Sequence, residues 1–198
     1  MTPPNSNGSA AEDICLTCGL CCNGVIFARV QLQSEDNADR LSSLGLQLRP
    51  RGKPTKASLA QQAQSGSAGL NPFRCFPQPC AAFDGCRCGI YAERPVYCRQ
   101  FECLLLKSIK SGHTQLAAAL RIISTARERA ERVRRLLRTL GDADEHLPLS
   151  TRFRRTARRL ERVGLGEASA AEYGELTLAV HDLNCILSEA FYPGGQST

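Results

Sequence analysis

The chain has 198 residues, of which 42% are hydrophobic, and its formal net charge is +6. This length and composition suit one globular domain with an appended element, and they argue against a largely disordered chain. No run of 18 apolar residues occurs, and the N-terminal stretch lacks the basic and apolar parts of a secretory signal, so we expect a cytoplasmic protein without a membrane span.

The elements before residue 75 are predicted to be short. Residues 1 to 12 are polar and are predicted to form a disordered tail. Residues 25 to 32, VIFARVQL, are β-branched and apolar, which is typical of a strand. The next segment predicts a short helix with Ser34 as its N-cap and Gly45 at its C-terminal end. Residues 49 to 72 are rich in Pro, Gly, Ser and Gln, so we expect a flexible insertion there.

The chain after His113 is predicted to be helical. Apolar residues recur at alternating steps of three and four, which is the period of an amphipathic helix. The first helix is expected to end at Gly141. The predicted apolar positions are Leu116, Ala119, Ile123, Ala126, Ala130, Val133, Leu137 and Leu140 in the first helix; Phe153, Ala157, Leu160 and Val163 in the second; and Tyr173, Leu176, Val180, Leu183, Leu187 and Ala190 in a third over about 167–191. The predicted fold is therefore mostly α with little β. A metal-organised cysteine module over 13–110 is followed by a helical bundle or cap over 114–192.

Ten of the eleven cysteines fall into two groups, and the remaining one, Cys185, stands alone. The first cluster is Cys15, Cys18, Cys21 and Cys22, and the second is Cys75, Cys80, Cys86, Cys88, Cys98 and Cys103. Disulfides are rare in a reducing cytosol, and an odd count also argues against a framework of bridges. The grouping therefore favours thiols that bind a metal.

The spacing in the first cluster favours a polynuclear site over one plain zinc finger. Two CxxC pairs overlap and share Cys18, so they cannot be independent halves of two zinc sites unless Cys18 bridges the two ions. Cys21 and Cys22 are neighbours whose side chains diverge, so we expect them to serve different metals or different corners of one cluster. The bacterial iron–sulfur run C-x2-C-x2-C-x3-C is matched at three positions only, since its fourth falls on Val25. Dithiol catalysis is disfavoured because no hydrophobic strand precedes Cys15.

Three arginines lie between or beside the cysteines of the second cluster. Arg94 and Arg99 are predicted to donate hydrogen bonds to the metal-bound sulfurs and to offset their negative charge, and Arg87 is a weaker candidate. The competing interpretation is that these arginines face solvent.

The segments CLTCGLCCNG and CGIYAERPVYCRQFEC together resemble the YkgJ-type cysteine-cluster family, a zinc- or iron-chelating domain with the pattern CxxCxxCC. The resemblance covers about residues 13 to 105 and includes Gly24, Ile90, Tyr91, Arg94, Pro95, Arg99 and Phe101. It implies metal chelation through eight thiols: Cys15, Cys18, Cys21, Cys22, Cys80, Cys88, Cys98 and Cys103. Cys75 and Cys86 are additional to the pattern and are candidate extra ligands. The cofactor stays open between zinc, iron and an iron–sulfur cluster.

The arginine-rich segment raises the question of a nucleic-acid partner. Residues 127 to 162 contain twelve arginines against six acids, whereas residues 163 to 198 contain five acids and no Lys or Arg. The arginines of the first helix lie on several faces and alternate with Glu128 and Glu131, so nucleic acid binding is not favoured. The best remaining patch for nucleic acid or an acidic protein partner is Arg152, Arg154, Arg155, Arg158 and Arg159. His181 and Cys185 share a helix face, and we expect them to be an ordinary exposed pair.

The favoured function is a cytosolic protein that chelates zinc or iron, including as an iron–sulfur cluster, through two converging cysteine clusters. One alternative is an iron–sulfur-dependent enzyme, or an accessory to one, in redox chemistry or protein modification. Another is a nucleic-acid-binding or adaptor protein with structural zinc. Metal ions are the predicted partners, and a protein partner stays open. Enzyme activity is undecided, because the sequence contains no Ser-His-Asp constellation, glycine-rich phosphate loop or paired catalytic acids.

Overall fold

The computed structural model describes residues 14–50, 74–85, 87–164 and 167–192. After a helical turn over residues 14–18, the elements in chain order are β1 (Arg29–Gln31), α1 (Ala38–Ser43), β2 (Arg49–Pro50), β3 (Arg74–Pro77), α2 (Val96–Gln100), α3 (Leu104–Lys110), α4 (Leu116–Thr139), α5 (Leu149–Val163) and α6 (Glu167–Ala190). The predicted fold, mostly α with little β, is confirmed. The predicted tail over residues 1–12, and the predicted insertion beyond residue 50, lie outside the described residues. Within the described part, no helix is long and apolar enough to span a membrane.

The small sheet has β3 at its centre, antiparallel to β1 on one side and to β2 on the other. Val30 of β1 lies opposite Phe76 of β3, and both side chains are buried. With Leu41 and Leu46 they form a second hydrophobic core, named here the small core. The sheet therefore holds the chain before and after the insertion together.

The predicted strand over 25–32 is correct only for residues 29–31. The amide of Ile26 donates to the carbonyl of Leu20 at 3.1 Å, so this part of the chain closes a loop and does not pair in the sheet. Residues 49 and 50, predicted as the start of a flexible insertion, form β2.

The predicted N-cap of α1 was wrong: the cap is Asn37, whose side chain accepts a hydrogen bond from the Arg40 amide at 2.9 Å. The chain just before it is held by Asp36, whose carboxylate accepts from the amides of Gln33 and Val96, each at 2.8 Å. The contact with Val96 is distant in sequence, and it delays the start of the helix. The predicted stop at Gly45 is confirmed, since Gly45 follows the C-cap with a φ of 91°.

The large core is built mainly by α4 packing against α6. Six of the predicted apolar positions of α4 are fully buried within the helix, and Gly141 follows its end with a φ of 79°. The small alanines allow α6 to approach closely. Leu116 is an exception, because 41% of it is exposed. In α6 the buried residues are Leu176, Ala179, Leu183 and Leu187, while the predicted Tyr173, Val180 and Ala190 are half-buried.

The predicted apolar face of α5 was partly wrong. Val163 is 80% exposed, whereas Arg152 and Thr156 are each 1% exposed. The reason is Asp142, in the loop after α4, which is also buried and pairs with Arg152 at 3.1 Å. A buried ion pair therefore replaces an apolar contact at the core-facing side of this helix.

Helices α4 and α5 contact the backbone of the first cysteine cluster. Arg127 donates to the carbonyl of Thr17 at 3.1 Å, and Arg134 donates to the carbonyl of Asn23 at 3.5 Å. The amide of Leu149, at the start of α5, donates to the carbonyl of Gly24 at 3.0 Å. The helical half of the chain thus supports the cysteine-bearing loop directly.

Several arginines of the basic segment are engaged within the chain. Arg129 donates to the carbonyl of Asp182 in α6, and Arg138 pairs with Glu131 and Glu145. In the predicted patch on α5, Arg152 is buried, Arg155 pairs with Asp142 and Asp144, and Arg159 donates to the carbonyls of Leu140 and Gly141. The five arginines of that patch therefore do not form one free surface.

Candidate metal centre

The eight cysteines that the resemblance implies as ligands line one cavity of about 120 Å³. They are Cys15, Cys18, Cys21, Cys22, Cys80, Cys88, Cys98 and Cys103. Cys75 is buried in β3 and does not line this cavity, and Cys86 lies outside the described residues. All ten described cysteines are free thiols. Tertiary structure thus brings the two sequence clusters together at one place.

Two glycines shape the loop that carries Cys21 and Cys22. Gly19 has a φ of 65°, and its carbonyl accepts from the amides of Cys22 and Asn23, each at 3.0 Å. A Cβ at Gly19 would lie 2.6 Å from the Phe83 ring. Gly24 has a φ of 79°, and a Cβ there would lie 3.2 Å from the backbone of Pro148. Both positions need glycine, because a side chain would strain the backbone and crowd its neighbour.

Turns after β3 and the short helices α2 and α3 position four cysteines of the second cluster at the cavity. The amide of Cys80 donates to the carbonyl of Cys22 at 2.8 Å, which joins the two clusters directly. The amide of Phe83 donates to the carbonyl of Cys80 at 3.0 Å, and a bridge between Phe83 and Cys88 brings Cys88 back to this turn. Cys98 lies in α2, and Cys103 is the N-cap of α3.

A backbone amide donates to the sulfur of Cys103, since the Leu106 amide lies 3.4 Å from its Sγ. Nearby backbone amides also oppose the rise that burial causes in the pKa of Cys18 and Cys80. Amide donors stabilise a thiolate more than a thiol, so they favour the binding of a cation at these sulfurs.

Burial favours the neutral form of four of the cavity thiols, those of Cys18, Cys21, Cys22 and Cys98. Burial raises the pKa of Cys18, Cys22 and Cys98 to about 12, and it raises the pKa of Cys21 well above its usual range. Neighbouring thiols add to each rise, because two negative charges so close together repel. Four nearby thiolates therefore need a cation, and a metal that binds them must displace their protons.

Arg94 is the cationic side chain at the cavity wall. Its guanidinium lies 3.7 Å above the ring of Tyr91, and its Nε donates to the carbonyl of Tyr91 at 3.2 Å. Its positive charge partly opposes the rise that burial causes in the pKa of Cys15, Cys22 and Cys98. Arg87 and Arg99 are exposed and do not line the cavity.

The rest of the cavity wall is mainly apolar and includes several aromatic rings, a feature that we did not predict. Phe27 packs edge-on against Phe101 and Tyr97, with ring centroids 4.8 and 5.7 Å apart. Phe83 and Phe191 also line the cavity. The aromatic residues of IYAERPVYCRQF are visible in the sequence. That they line one cavity with other aromatic residues depends on contacts between distant segments.

The cavity is a set of donors and not a finished coordination shell. Among the described side chains, no three Cys, His, Asp or Glu residues are grouped so that they could hold a metal ion as they stand. The donor chemistry nevertheless fits zinc and iron, which both bind cysteine thiolate. Binding would require the thiols to turn toward a common centre as they lose their protons.

A comparison with protein families found a match on this chain. The model of the CxxCxxCC family, described as "Putative zinc- or iron-chelating domain", matches residues 14–119. That span includes all eight cysteines of the cavity and ends within α4. The comparisons with curated proteins and with solved structures found no match.

Proposed function

We propose, because this chain belongs to the CxxCxxCC family, that it binds zinc or iron through the eight cysteine thiols of its cavity. One observation carries the proposal: eight thiols from two clusters far apart in sequence line the same cavity. Cysteine is among the most often buried residues, so burial alone would not distinguish a ligand from a core residue. The convergence of eight thiols on one cavity does distinguish ligands from core residues. Cys75, by contrast, is buried in the sheet and does not line the cavity.

The bound metal would also hold together the segments of the chain that line the cavity. The cavity joins the helical turn over 14–18, the loop after it, the segment after β3, α2 and the start of α3. We propose that residues 13–110 are a metal-organised module on which the helices of 114–192 pack. The large core supports this packing, since it contains Leu20 and Leu106 together with Ile123 and Leu183. Folding and metal binding would then be coupled.

An iron–sulfur cluster is the second candidate for the bound group, and a redox or modifying activity would follow from it. The observations in its favour are the amide donor to the Cys103 sulfur and the mainly apolar wall, since hydrogen bonds and solvent exclusion set the potential of such clusters. Nucleic acid binding gains no comparable support, because Arg129, Arg138 and Arg152 are engaged within the chain.

The test is anaerobic purification of the full chain, followed by measurement of zinc, iron and acid-labile sulfide. Retained zinc in a colourless protein would identify a zinc protein, whereas iron with sulfide and a brown colour would identify an iron–sulfur protein. A variant with Cys98→Ser and Cys103→Ser should lose metal, and the matched Cys185→Ser should keep it, because Cys185 is exposed on α6. Protein that holds no metal and pairs its thiols as disulfides would refute the proposal.

A further inference from the structure

We infer that the eight thiols form two separate four-cysteine metal sites, and this inference rests on the proposed function. Site A consists of Cys15, Cys18, Cys21 and Cys103. Site B consists of Cys22, Cys80, Cys88 and Cys98. Each sequence cluster contributes to both sites, so the division does not follow the order of the chain. It separates the adjacent residues Cys21 and Cys22.

The two sites lie against different hydrophobic cores. Cys18 and Cys103 pack against the large core, which α4 and α6 build. Cys80 and Cys98 pack against the small core around Val30 and Phe76. The cavity therefore has two walls of separate origin, and two of the thiols pack against each core.

Backbone contacts make the same division. The hydrogen bond from the Cys80 amide to the Cys22 carbonyl brings Cys22 to the second cluster. The Phe83–Cys88 bridge and the hydrogen bond from the Gly89 amide to the Ala82 carbonyl, at 2.7 Å, bring Cys88 beside the segment that follows Cys80. On the other side, Cys15 and Cys18 are three residues apart in the helical turn over 14–18, and such residues lie on one face of a helix.

The electrostatic influence of the thiols on one another follows these groups. Apart from burial, which is the largest cause, Cys103 raises the pKa of Cys15, Cys18 and Cys21. Cys80 and Cys88 raise the pKa of Cys22 and Cys98, again after burial. Between the groups, the links are those of Cys22 with its neighbour Cys21 and with Cys15. This influence falls with distance, so it supports the grouping that the packing already gives.

Four thiolates are the full complement of one structural zinc ion and of one iron–sulfur cluster. Two such sites side by side would each carry a negative charge, about −2 for zinc with four thiolates. Arg94 is suited to lie between them, since its charge acts on Cys15 of site A and on Cys22 and Cys98 of site B. A single cation at the boundary reduces their mutual repulsion.

The experiment compares two double variants of the full-length chain, reduced, stripped of metal and loaded with Zn²⁺ alone. Zinc per chain is counted by native mass spectrometry. We expect two zinc ions in the wild type and in Cys185→Ser. The same-site variant, Cys15→Ser with Cys103→Ser, should keep one ion, whereas the cross-site variant, Cys98→Ser with Cys103→Ser, should keep none.

Equal zinc contents in the two double variants would overturn the division into two sites while leaving the proposed function intact. A wild type that binds only one zinc ion would do the same. A wild type that binds no zinc and, as purified, contains no iron would refute the proposed function itself. The three failures are therefore distinguishable.

A second measurement needs no variant and so does not depend on whether a variant folds. Zinc-loaded wild type is treated with enough chelator to remove half of the metal, and the exposed thiols are alkylated and identified by peptide mass spectrometry. Among the eight cavity cysteines, partly stripped molecules should carry four labels, all from one site; labels on Cys75, Cys86 and Cys185 are not counted, because these cysteines belong to neither site. Labels that appear on all eight cysteines together, or on mixtures from both sites, would overturn the inference.

Discussion

Removing one partner of the buried pair of Asp142 and Arg152 should strongly destabilise the helical half. Asp142 and Arg152 are 2% and 1% exposed. Nε of Arg152 donates to Oδ1 of Asp142 at 3.1 Å, and a terminal nitrogen of Arg152 donates to the Asp142 backbone carbonyl at 3.0 Å. Thr156 donates to the other carboxylate oxygen at 3.4 Å. Replacing Asp142 by Asn keeps the size of the side chain but removes the charge that Arg152 needs.

The size of the loss in stability depends on the Arg152 guanidinium, which remains buried after its partner is removed. Arg152 stays charged at neutral pH, because the guanidinium does not lose its proton in proteins. Breaking a buried ion pair by removing one partner costs about 3–5 kcal/mol. For a chain of this length, each kcal/mol lowers the midpoint of thermal unfolding by about 2–4 °C. We therefore expect Asp142→Asn to lower the midpoint by about 6–20 °C.

The assay is thermal unfolding followed by circular dichroism, at equal zinc content in all samples. The matched control is Glu145→Gln, the same change of carboxylate to amide in the same loop, at an exposed side chain that pairs with Arg138. Its midpoint should move much less, because exposed ion pairs are weak. A shift for Asp142→Asn no larger than the shift for Glu145→Gln would show that burial of this pair does not govern stability.

Three further predictions concern the cysteine cavity. Gly24→Ala and Gly45→Ala should each lower the free energy of unfolding by about 1–2 kcal/mol, since both glycines have positive φ values. Gly24→Ala should lower it by about 1–3 kcal/mol more. The reason is that a Cβ at Gly24 would meet Pro148, whereas nothing lies within 4 Å of a Cβ at Gly45. Equal losses in urea unfolding would contradict this. Arg94→Gln should weaken zinc binding about tenfold, measured by competition with a chelator, because it removes the positive charge at the cavity wall. The control, Arg99→Gln, changes an exposed arginine and should leave zinc affinity unchanged. Equal zinc affinities of the two variants would argue against the electrostatic role of Arg94. Stripping the metal should lower the unfolding midpoint, and added zinc should restore it, unless folding and binding are independent.

The long helices were predictable because their information is local. The apolar period of three and four places Ala126, Ala130 and Val133 on one face of α4, and that face is buried. Glycine after the last periodic residue marks the end of the helix, as Gly141 does. These patterns depend only on helical geometry, so they can be read without knowledge of the partner.

The chemistry of the site was also predictable in part. Overlapping CxxC pairs and the adjacent Cys21 and Cys22 indicate several thiolate ligands, and the resemblance to the family identified the other four positions. Spacing alone could not separate Cys75 from Cys80, since both are cysteines of one cluster. The sheet register decides it by burying Cys75 within β3, away from the cavity wall.

By itself, then, the sequence determined the composition of the site, the positions of the long helices and the family. Tertiary structure alone decided which residues became neighbours: Arg152 opposite Asp142, the Asp36 carboxylate on the Val96 amide, and Cys80 beside Cys22. The physical reason is that a periodic pattern reports the face of one element, whereas an ion pair or a shared cavity depends on how separate elements pack. Cys21 and Cys22 are neighbours in the chain, but the two hydrophobic cores beside the cavity are built by residues distant in sequence.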